Sequence, residues 1–272
     1  ELKVTKAGTI GNVQIIDHAL FPEKPIAPKK SLIVMLGFLL GAMLGFAIAF
    51  IRRALRRVVE DPRKVEEALG LPIYATIPHS ASQSKLNQFL KRKTMTNIAV
   101  LARTSPDEGS IESLRSLCTS LQFAQMEAKN NIIAITGATP GIGKSFISLN
   151  LAFLLADQQK SVLLIDGDMR RGHLHESLMK ARQPGLSELV SGQMNFQEVV
   201  HVMDNGRISF LSTGTLPPNP VNLLMSDRFQ KFLDDASRRY DTILLDCPPV
   251  LNMADALIMT RYAGTKFVVV RG

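Results

Sequence analysis

From Leu32 to Ile51 the chain reads LIVMLGFLLGAMLGFAIAFI, twenty residues without a charge. At 1.5 Å per residue such a helix spans roughly 30 Å, the thickness of a hydrocarbon core, so the pattern predicts a membrane-spanning helix over 31–52. The run is too long for the apolar region of a signal peptide, and arginines follow it where a small-residue cleavage site would stand. Gly37, Gly41 and Gly45 recur at a spacing of four. That is either a stripe along which two helices pack closely or the ordinary glycine content of a membrane helix.

Beyond this run the periodicity changes. RKVEEALG after Asp61-Pro62 predicts a short helix ended by Gly70, and LPIYATIP predicts a short strand. Residues 79–97 are polar and basic with little apolar content, which predicts a mobile linker. A larger domain is expected from Ile98. Ser105-Pro-Asp-Glu108 has the form of a capping box with proline at the first helical position. Ile111, Leu114, Leu117, Cys118 and Leu121 then recur at three and four, as an amphipathic helix requires. Apolar runs at 132–136, 161–166, 242–246 and 266–270 are continuous rather than alternating, the mark of parallel strands covered on both faces. Helical stretches separate them. The predicted fold class is therefore α/β, a doubly wound, mostly parallel sheet preceded by a single transmembrane helix. Four segments follow: 1–30, with a Pro-rich lead; 31–52, the transmembrane helix; 53–97, a juxtamembrane segment and basic linker; and 98–272, the α/β domain.

Charge sharpens this picture. The formal net charge is +8, and much of the excess lies in Arg52, Arg53, Arg56, Arg57, Lys91, Arg92 and Lys93, beside the apolar run. That placement favours a lipid surface over nucleic acid. Residues 110–121 also lack the basic and aromatic interleaving of a nucleic-acid face, so no nucleic-acid partner is expected. Lys29 and Lys30 precede the helix and four arginines follow it, which places the C-terminal side in the cytoplasm and residues 1–30 outside. PEKPIAPKK, Pro22 to Lys30, is a stiff extended lead or simply a linker. Cys118 and Cys247 form no CxxC pair or metal spacing.

The chemistry concentrates after the first strand of the large domain. Gly137-Ala-Thr-Pro-Gly-Ile-Gly-Lys-Ser145 stands between that strand and an apolar helix, the context of a P-loop. Ala138 replaces the first glycine of GxxxxGK[ST]. Gly141 and Gly143 let the backbone curl so that N–H groups of the loop point inward, and the helix start adds its positive dipole end. Lys144 reaches the β and γ phosphates, and the Ser145 hydroxyl binds Mg²⁺. Thr139, Pro140, Gly141, Ile142, Gly143, Lys144 and Ser145 are thus the expected phosphate cradle. Asp246 ends a strand and is placed like a Walker-B aspartate, on magnesium directly or through water. Asp166 and Asp168 end another strand. One of this pair is free to serve the metal and the other to accept a proton from an attacking hydroxyl, and the sequence leaves the assignment open. Arg170 and Arg171 either neutralise phosphate charge or cover surface. His173 and His175 form an HxH without an acidic or cysteine partner pattern. Tyr74, Tyr240 and Tyr262 are isolated, and each is expected to pack rather than to accept phosphate.

ATPGIGKS, VLLIDGDMRR and LLDCPP resemble the Walker A, A′ and B motifs of bacterial tyrosine kinases (BY-kinases), specifically the Wzc-type polysaccharide copolymerases. The segment Lys6–Asn12, PEKPIAPKK, DPRKVEEALGLPIYATIP and TLPPNPVNLLMSDRF look like that family too, so the resemblance covers essentially the whole chain. It implies an inner-membrane protein whose cytoplasmic kinase domain autophosphorylates tyrosines with ATP and Mg²⁺, regulating capsule or exopolysaccharide polymerisation and export. Residues 1–30 would then end a periplasmic domain. It implies Lys144, Asp166 and Asp168 as catalytic residues and Ser145, Asp168 and Asp246 on the metal. As partners it implies the lipid bilayer, a ring-like homo-oligomer, an outer-membrane polysaccharide exporter and a cognate tyrosine phosphatase. The family's ExxRxxR helix joins neighbouring subunits; here it is Glu112, Arg115 and Cys118, with cysteine at the second arginine. Family members also carry an earlier membrane helix, most of a periplasmic domain, further sheet elements and a tyrosine-rich tail, so the chain is expected to be part of a longer protein. Two other readings stand beside this one. A ParA/MinD-like positioning ATPase carries a signature lysine where Thr139 stands. A non-enzymatic chain-length regulator would not need intact Lys144, Ser145, Asp166, Asp168 and Asp246.

Overall fold

The computed structural model describes residues 28–55, 66–67, 70–92, 97–251 and 253–271. The chain divides into two units, Glu1–Arg57 and Val58–Gly272. Among the described residues of the first, one helix, α1, runs Lys30–Leu55. Over Lys30–Arg52 it is long and apolar enough to cross a membrane. Phe38, Phe46 and Phe50 are 75–79% exposed on it, and no described atom lies within 4 Å of a side chain built at Gly37, Gly41 or Gly45. The family-like segment Lys6–Asn12, most of the proline-rich lead, Arg56, Arg57, Lys93 and most of RKVEEALG lie outside the described residues. Glu66 and Glu67 are helical, and Gly70, at φ +63°, donates its N–H to the Glu66 carbonyl.

In the second unit, residues 79–97 are not simply a linker. Ala81–Lys91 form a helix, α2, started by Ser80, whose hydroxyl accepts the Gln83 N–H at 2.8 Å. Leu86 packs on the core. Leu90, one turn on, is half-buried as well, and with so few apolar residues among polar ones the helical spacing is short and easily missed. LPIYATIP is extended but joins no ladder. Its residues Ala75 and Ile77 pack against the core while Tyr74 meets Phe267 edge-on at 5.4 Å, a contact through side chains rather than through backbone pairing. Ser105 is also not a cap: it ends a single turn, Leu101–Thr104, and the long helix α3, Gly109–Met126, starts from Glu108.

The remaining elements are β1 (Ile132–Gly137), α4 (Lys144–Asp157), β2 (Val162–Asp166), α5 (Leu186–Ser191), β3 (Val200–Met203), β4 (Ile208–Leu211), α6 (Asp227–Ser237), β5 (Thr242–Asp246), α7 (Ala254–Tyr262) and β6 (Thr265–Val269), with single helical turns between. The sheet order is β3-β4-β2-β5-β1-β6, parallel except for β3. The four predicted strands are present. The sequence reading missed β3 and β4, which at four residues each are too short to show a period. Both faces of β1, β2 and β5 are covered, as their apolar runs require. β6, at the sheet edge, alternates instead, with Lys266 and Val268 exposed, so its apolar run does not mean burial on both faces. Ile133, Ile135 and Leu164 meet Leu114, Leu121 and Phe153 on one face. Ile132, Ile243 and Leu245 meet Phe229, Leu233 and Met259 on the other. This alternation of neighbouring residues within a strand is the two-residue period of an extended chain between two helical layers.

Candidate phosphate site

Strand order fixes the site. β5 lies between β1 and β2, with Ile135 and Asp166 both in register with Asp246. The loop leaving β1, the acidic loop leaving β2 and Asp246 therefore share one edge of the sheet, where open α/β folds bind ligands.

The loop between β1 and α4 has the backbone of a phosphate cradle. Gly141 and Gly143 have φ of +76° and +106°, and a side chain at either would meet no heavy atom within 4 Å. Glycine is needed there for its conformation, and the space beside both is open. Gly137 is different, since a side chain would overlap Ile142 and the Val269 carbonyl. The loop is tied to the segment after β5 by Val250 N–H to Gly137 O at 3.0 Å and by the Thr136 hydroxyl to Pro248 O at 3.0 Å. Ala138 accepts the Leu251 N–H at 3.4 Å, so alanine keeps the backbone contact available at the position of the missing glycine.

Lys144 and Ser145 open α4. The Lys144 ammonium is turned onto the Thr139 carbonyl at 3.2 Å, and the residue is 8% exposed. The Ser145 hydroxyl donates to Asp246 Oδ2 at 2.6 Å. Ser148, three residues further along the helix, donates to Asp246 Oδ1 at 2.9 Å and lies 3.1 Å from the Lys144 carbonyl. The sequence reading missed Ser148; its i+3 spacing from Ser145 was the available signal. Burial pushes the Asp246 carboxyl up to about 6, against the two hydroxyls and the His173 and Lys144 charges that pull it down.

The two aspartates after β2 differ sharply. Asp166 is fully buried; its Oδ2 accepts the Leu174 N–H at 3.1 Å, and its Oδ1 has no partner among the described residues. Burial, then the Asp246 charge, hold its carboxyl well above the ordinary range. Asp168 is half-buried, and its Oδ1 accepts the N–H groups of Arg170 and Arg171 at 3.2 and 2.9 Å. Of the two, Asp168 is the one with access to solvent. Arg170 reaches the buried Asp255 on α7, Nε to Oδ2 at 3.1 Å, while Arg171 is exposed. A side chain at Gly167 would overlap Met259 of the same helix. Helix α7 thus braces the acidic loop at two points, neither of which the sequence announced. His173 Nδ1 lies 3.2 Å from the Arg171 carbonyl. Among the described residues no group of three or more histidines, cysteines, aspartates or glutamates could hold a metal by itself.

Glu112 and Arg115 lie on the exposed side of α3 and pair with each other at 2.9 Å. Cys118 turns the other way, fully buried, and burial pushes its thiol up to about 12. Tyr262 donates to the Leu224 carbonyl at 3.0 Å, and Tyr240 is half-buried against Phe196.

Comparison with known proteins agrees with this geometry. Residues 1–54 match the GNVR G-rich domain family and residues 130–270 the AAA domain family, a nucleotide-binding P-loop fold. Over its whole length the chain is 43% identical to the tyrosine-protein kinase ptk of Acinetobacter johnsonii and 40% identical to the tyrosine-protein kinase etk of Escherichia coli K12. It spans 37% and 38% of those two proteins. The solved BceF tyrosine kinase domain is 47% identical with a TM-score of 0.71, the match covering 78% of this chain and 86% of that one. The kinase domain of Escherichia coli ETK is 39% identical with a TM-score of 0.70, covering 78% and 82%.

Proposed function

The chain belongs to the bacterial tyrosine kinases, and we propose that it forms part of an inner-membrane autokinase that moves the γ-phosphoryl group of ATP onto tyrosine hydroxyls. The observation that carries this is the gathering, at one sheet edge, of Lys144, the Ser145–Asp246 pair and a second, solvent-reached carboxylate, Asp168. A P-loop that only hydrolyses nucleotide needs the first three. The fourth gives a phenolic proton somewhere to go.

In this reading the backbone of 139–143 and the Lys144 ammonium bind the phosphates, which means the ammonium leaves the Thr139 carbonyl. Ser145 and Asp246 hold magnesium; the oxygen set they offer, completed by phosphate and water, suits that ion. Bound there, magnesium supplies charge neutralisation of the transferring group. Asp168 Oδ2 accepts no hydrogen bond among the described residues, leaving it for the acceptor's proton or the metal. Asp166, sealed, with its carboxyl pushed upward by burial, supports the loop instead, since a group without access to solvent is a poor base for an incoming phenol.

The setting follows from the same residues. In this reading α1 anchors the protein in the inner membrane, and the positive flank from Arg52 onward supports a cytoplasmic P-loop domain and a periplasmic N-terminal end. Glu112 and Arg115, exposed together on α3, are the proposed contact of a ring-like homo-oligomer. Capsule or exopolysaccharide polymerisation and export is the process regulated, with an outer-membrane exporter and a cognate phosphatase as partners. The kinases among its relatives favour this over a positioning ATPase or a non-enzymatic chain-length regulator. Full-length protein incubated with Mg-ATP should acquire phosphotyrosine, and Lys144→Met should lose it. A silent parent, or an undiminished signal in the variant, refutes the proposal.

A further inference from the structure

The three tyrosines of the chain sit in different surroundings. The Tyr262 hydroxyl is engaged by the Leu224 carbonyl, and its ring meets Phe229 edge-on at 5.3 Å. Tyr240 is half-buried among Phe196 and Phe232 in a groove beside α6. Tyr74 alone is exposed, at 42%, and its hydroxyl has no hydrogen-bond partner among the described residues.

Its backbone is as distinctive as its exposure. Residues 71–80 form neither helix nor strand, and sides alternate along them: Ile73, Ala75 and Ile77 are half-buried, while Leu71, Tyr74, Thr76 and Pro78 are exposed. Tyr74 is therefore displayed from the outer side of an extended segment whose backbone makes no ladder bonds. Lifting Leu71–Tyr74 from the surface breaks one described hydrogen bond, Ile73 N–H to Glu66 Oε1 at 2.8 Å, and the ring contact with Phe267. An extended backbone with free N–H and C=O groups is the form in which a chain enters another protein's cleft.

We infer that Tyr74 is itself a phosphoacceptor of this kinase, modified by a second copy of the chain; the inference rests on the kinase reading above. In the step, the Tyr74 phenolic oxygen bonds the γ-phosphorus of the nucleotide on the second copy. The bond from that phosphorus to the β–γ bridging oxygen breaks, and ADP leaves with that oxygen. The phenolic proton passes to a carboxylate of the second copy, Asp168 in the reading above, and on to water. The product carries about −1.5 to −2 charges at neutral pH where an aromatic edge contact had been. That strongly hydrated group favours the lifted segment over its packing on Phe267.

The test uses the full-length protein in detergent micelles with Mg-ATP, phosphotyrosines mapped by mass spectrometry, and a Glu–Tyr copolymer present as a second acceptor. A phosphorylated Tyr74 peptide is expected. It should also appear on Lys144→Met chains mixed with active ones, and be lost from Lys144→Met alone. Tyr74→Phe keeps the ring on Phe267; it should lose that peptide while phosphorylating the copolymer at the parental rate. Hydrogen exchange over residues 71–77 should quicken in the phosphorylated parent and stay unchanged in Tyr74→Phe. A phosphorylated copolymer with Tyr74 bare overturns the inference and leaves the kinase reading standing. Phosphate on Tyr74 in Lys144→Met alone assigns it to another enzyme and overturns it as well. No phosphate on copolymer or chain overturns both.

Discussion

Replacing Asp246 with asparagine is expected to stabilise the nucleotide-free fold above neutral pH while abolishing phosphotransfer. Asp246 is 3% exposed and stands in register with the buried Asp166 on the neighbouring strand. Both carboxyls are held above the ordinary range, Asp246 at about 6. A carboxyl whose pKa is raised by folding binds its proton more tightly in the folded state. Its favourable contribution is therefore present at low pH and is lost as pH rises from the unfolded value through the folded one. Between about 3.9 and about 6 that loss comes to about 3 kcal/mol. Asparagine has no proton to lose and escapes it. Against this, the amide cannot accept both hydroxyls as the carboxylate does, from Ser145 at 2.6 Å and Ser148 at 2.9 Å. The Ser148 hydroxyl already lies 3.1 Å from the Lys144 carbonyl, so it can donate there and accept from the amide instead. Subtracting about 1 kcal/mol for the poorer pairing leaves a gain of about 2 kcal/mol at pH 8. For a domain of this size that is about 4–8 °C in melting temperature. The gain should shrink on acidification and vanish at about pH 4.5. The chain has no tryptophan, so the assay is thermal melting followed by far-ultraviolet circular dichroism on ligand-free protein from pH 4.5 to 8.5. An Asp246→Asn variant that melts below the parent by the same margin at pH 8 as at pH 5 would show that burial of this carboxylate is not what limits stability.

Two further substitutions separate conformation from charge. Gly143→Ala should weaken ATP binding about tenfold by calorimetry, because alanine at φ +106° costs about 1–2 kcal/mol although its methyl meets no atom; unchanged affinity would mean the loop does not need this backbone to bind phosphate. Asp255→Asn should cost only about 1 kcal/mol of stability, since Arg170 is half hydrated, yet slow copolymer phosphorylation while leaving ATP affinity intact; equal losses in both would make the Arg170–Asp255 pair purely structural.

What the sequence disclosed, and what it hid, divides along one physical line. Phosphate binding needs glycine, lysine and serine in one contiguous loop, so the residues from Thr139 to Ser145 could be found without knowing the fold. Strands buried on both faces must be apolar throughout, so β1, β2 and β5 were visible as unbroken runs, and β6 shows such a run although one of its faces is exposed. Groups that act across distance had no such signature. Ser148 matters because Asp246, 98 positions away, comes to 2.9 Å from it. Asp255 and Met259 matter because α7 crosses behind the acidic loop. Where a local rule failed, tertiary contact had overruled it. Ser105 fits a capping box, but the turn Leu101–Thr104 ends on it and hands the helix start to Glu108. Residues 81–91 show only a short apolar pattern at 86, 89 and 90 amid polar and basic residues, and the helix start rests on one capping serine.

The described site is electrostatically unfinished, and the way it is unfinished points to what it binds. Most of its polar groups have protein partners: the Lys144 ammonium rests on Thr139 O, and Ser145 and Ser148 rest on Asp246. A ligand therefore gains little by supplying hydrogen bonds that the protein already makes; most are exchanged rather than added. What the protein leaves unbalanced is charge. Two carboxyls on adjacent strands are driven toward their neutral forms by burial, Asp166 also by the Asp246 charge, and Asp166 Oδ1 has no partner among the described residues. A cation beside Asp246 would reverse that drive by favouring its ionised form, and phosphate oxygens would complete the cation and take the lysine. Affinity at this edge should then rest on the carboxyl pair and Lys144 acting together. A neutral nucleoside, which offers neither the metal nor the negative charge, should bind poorly however well its ring fits.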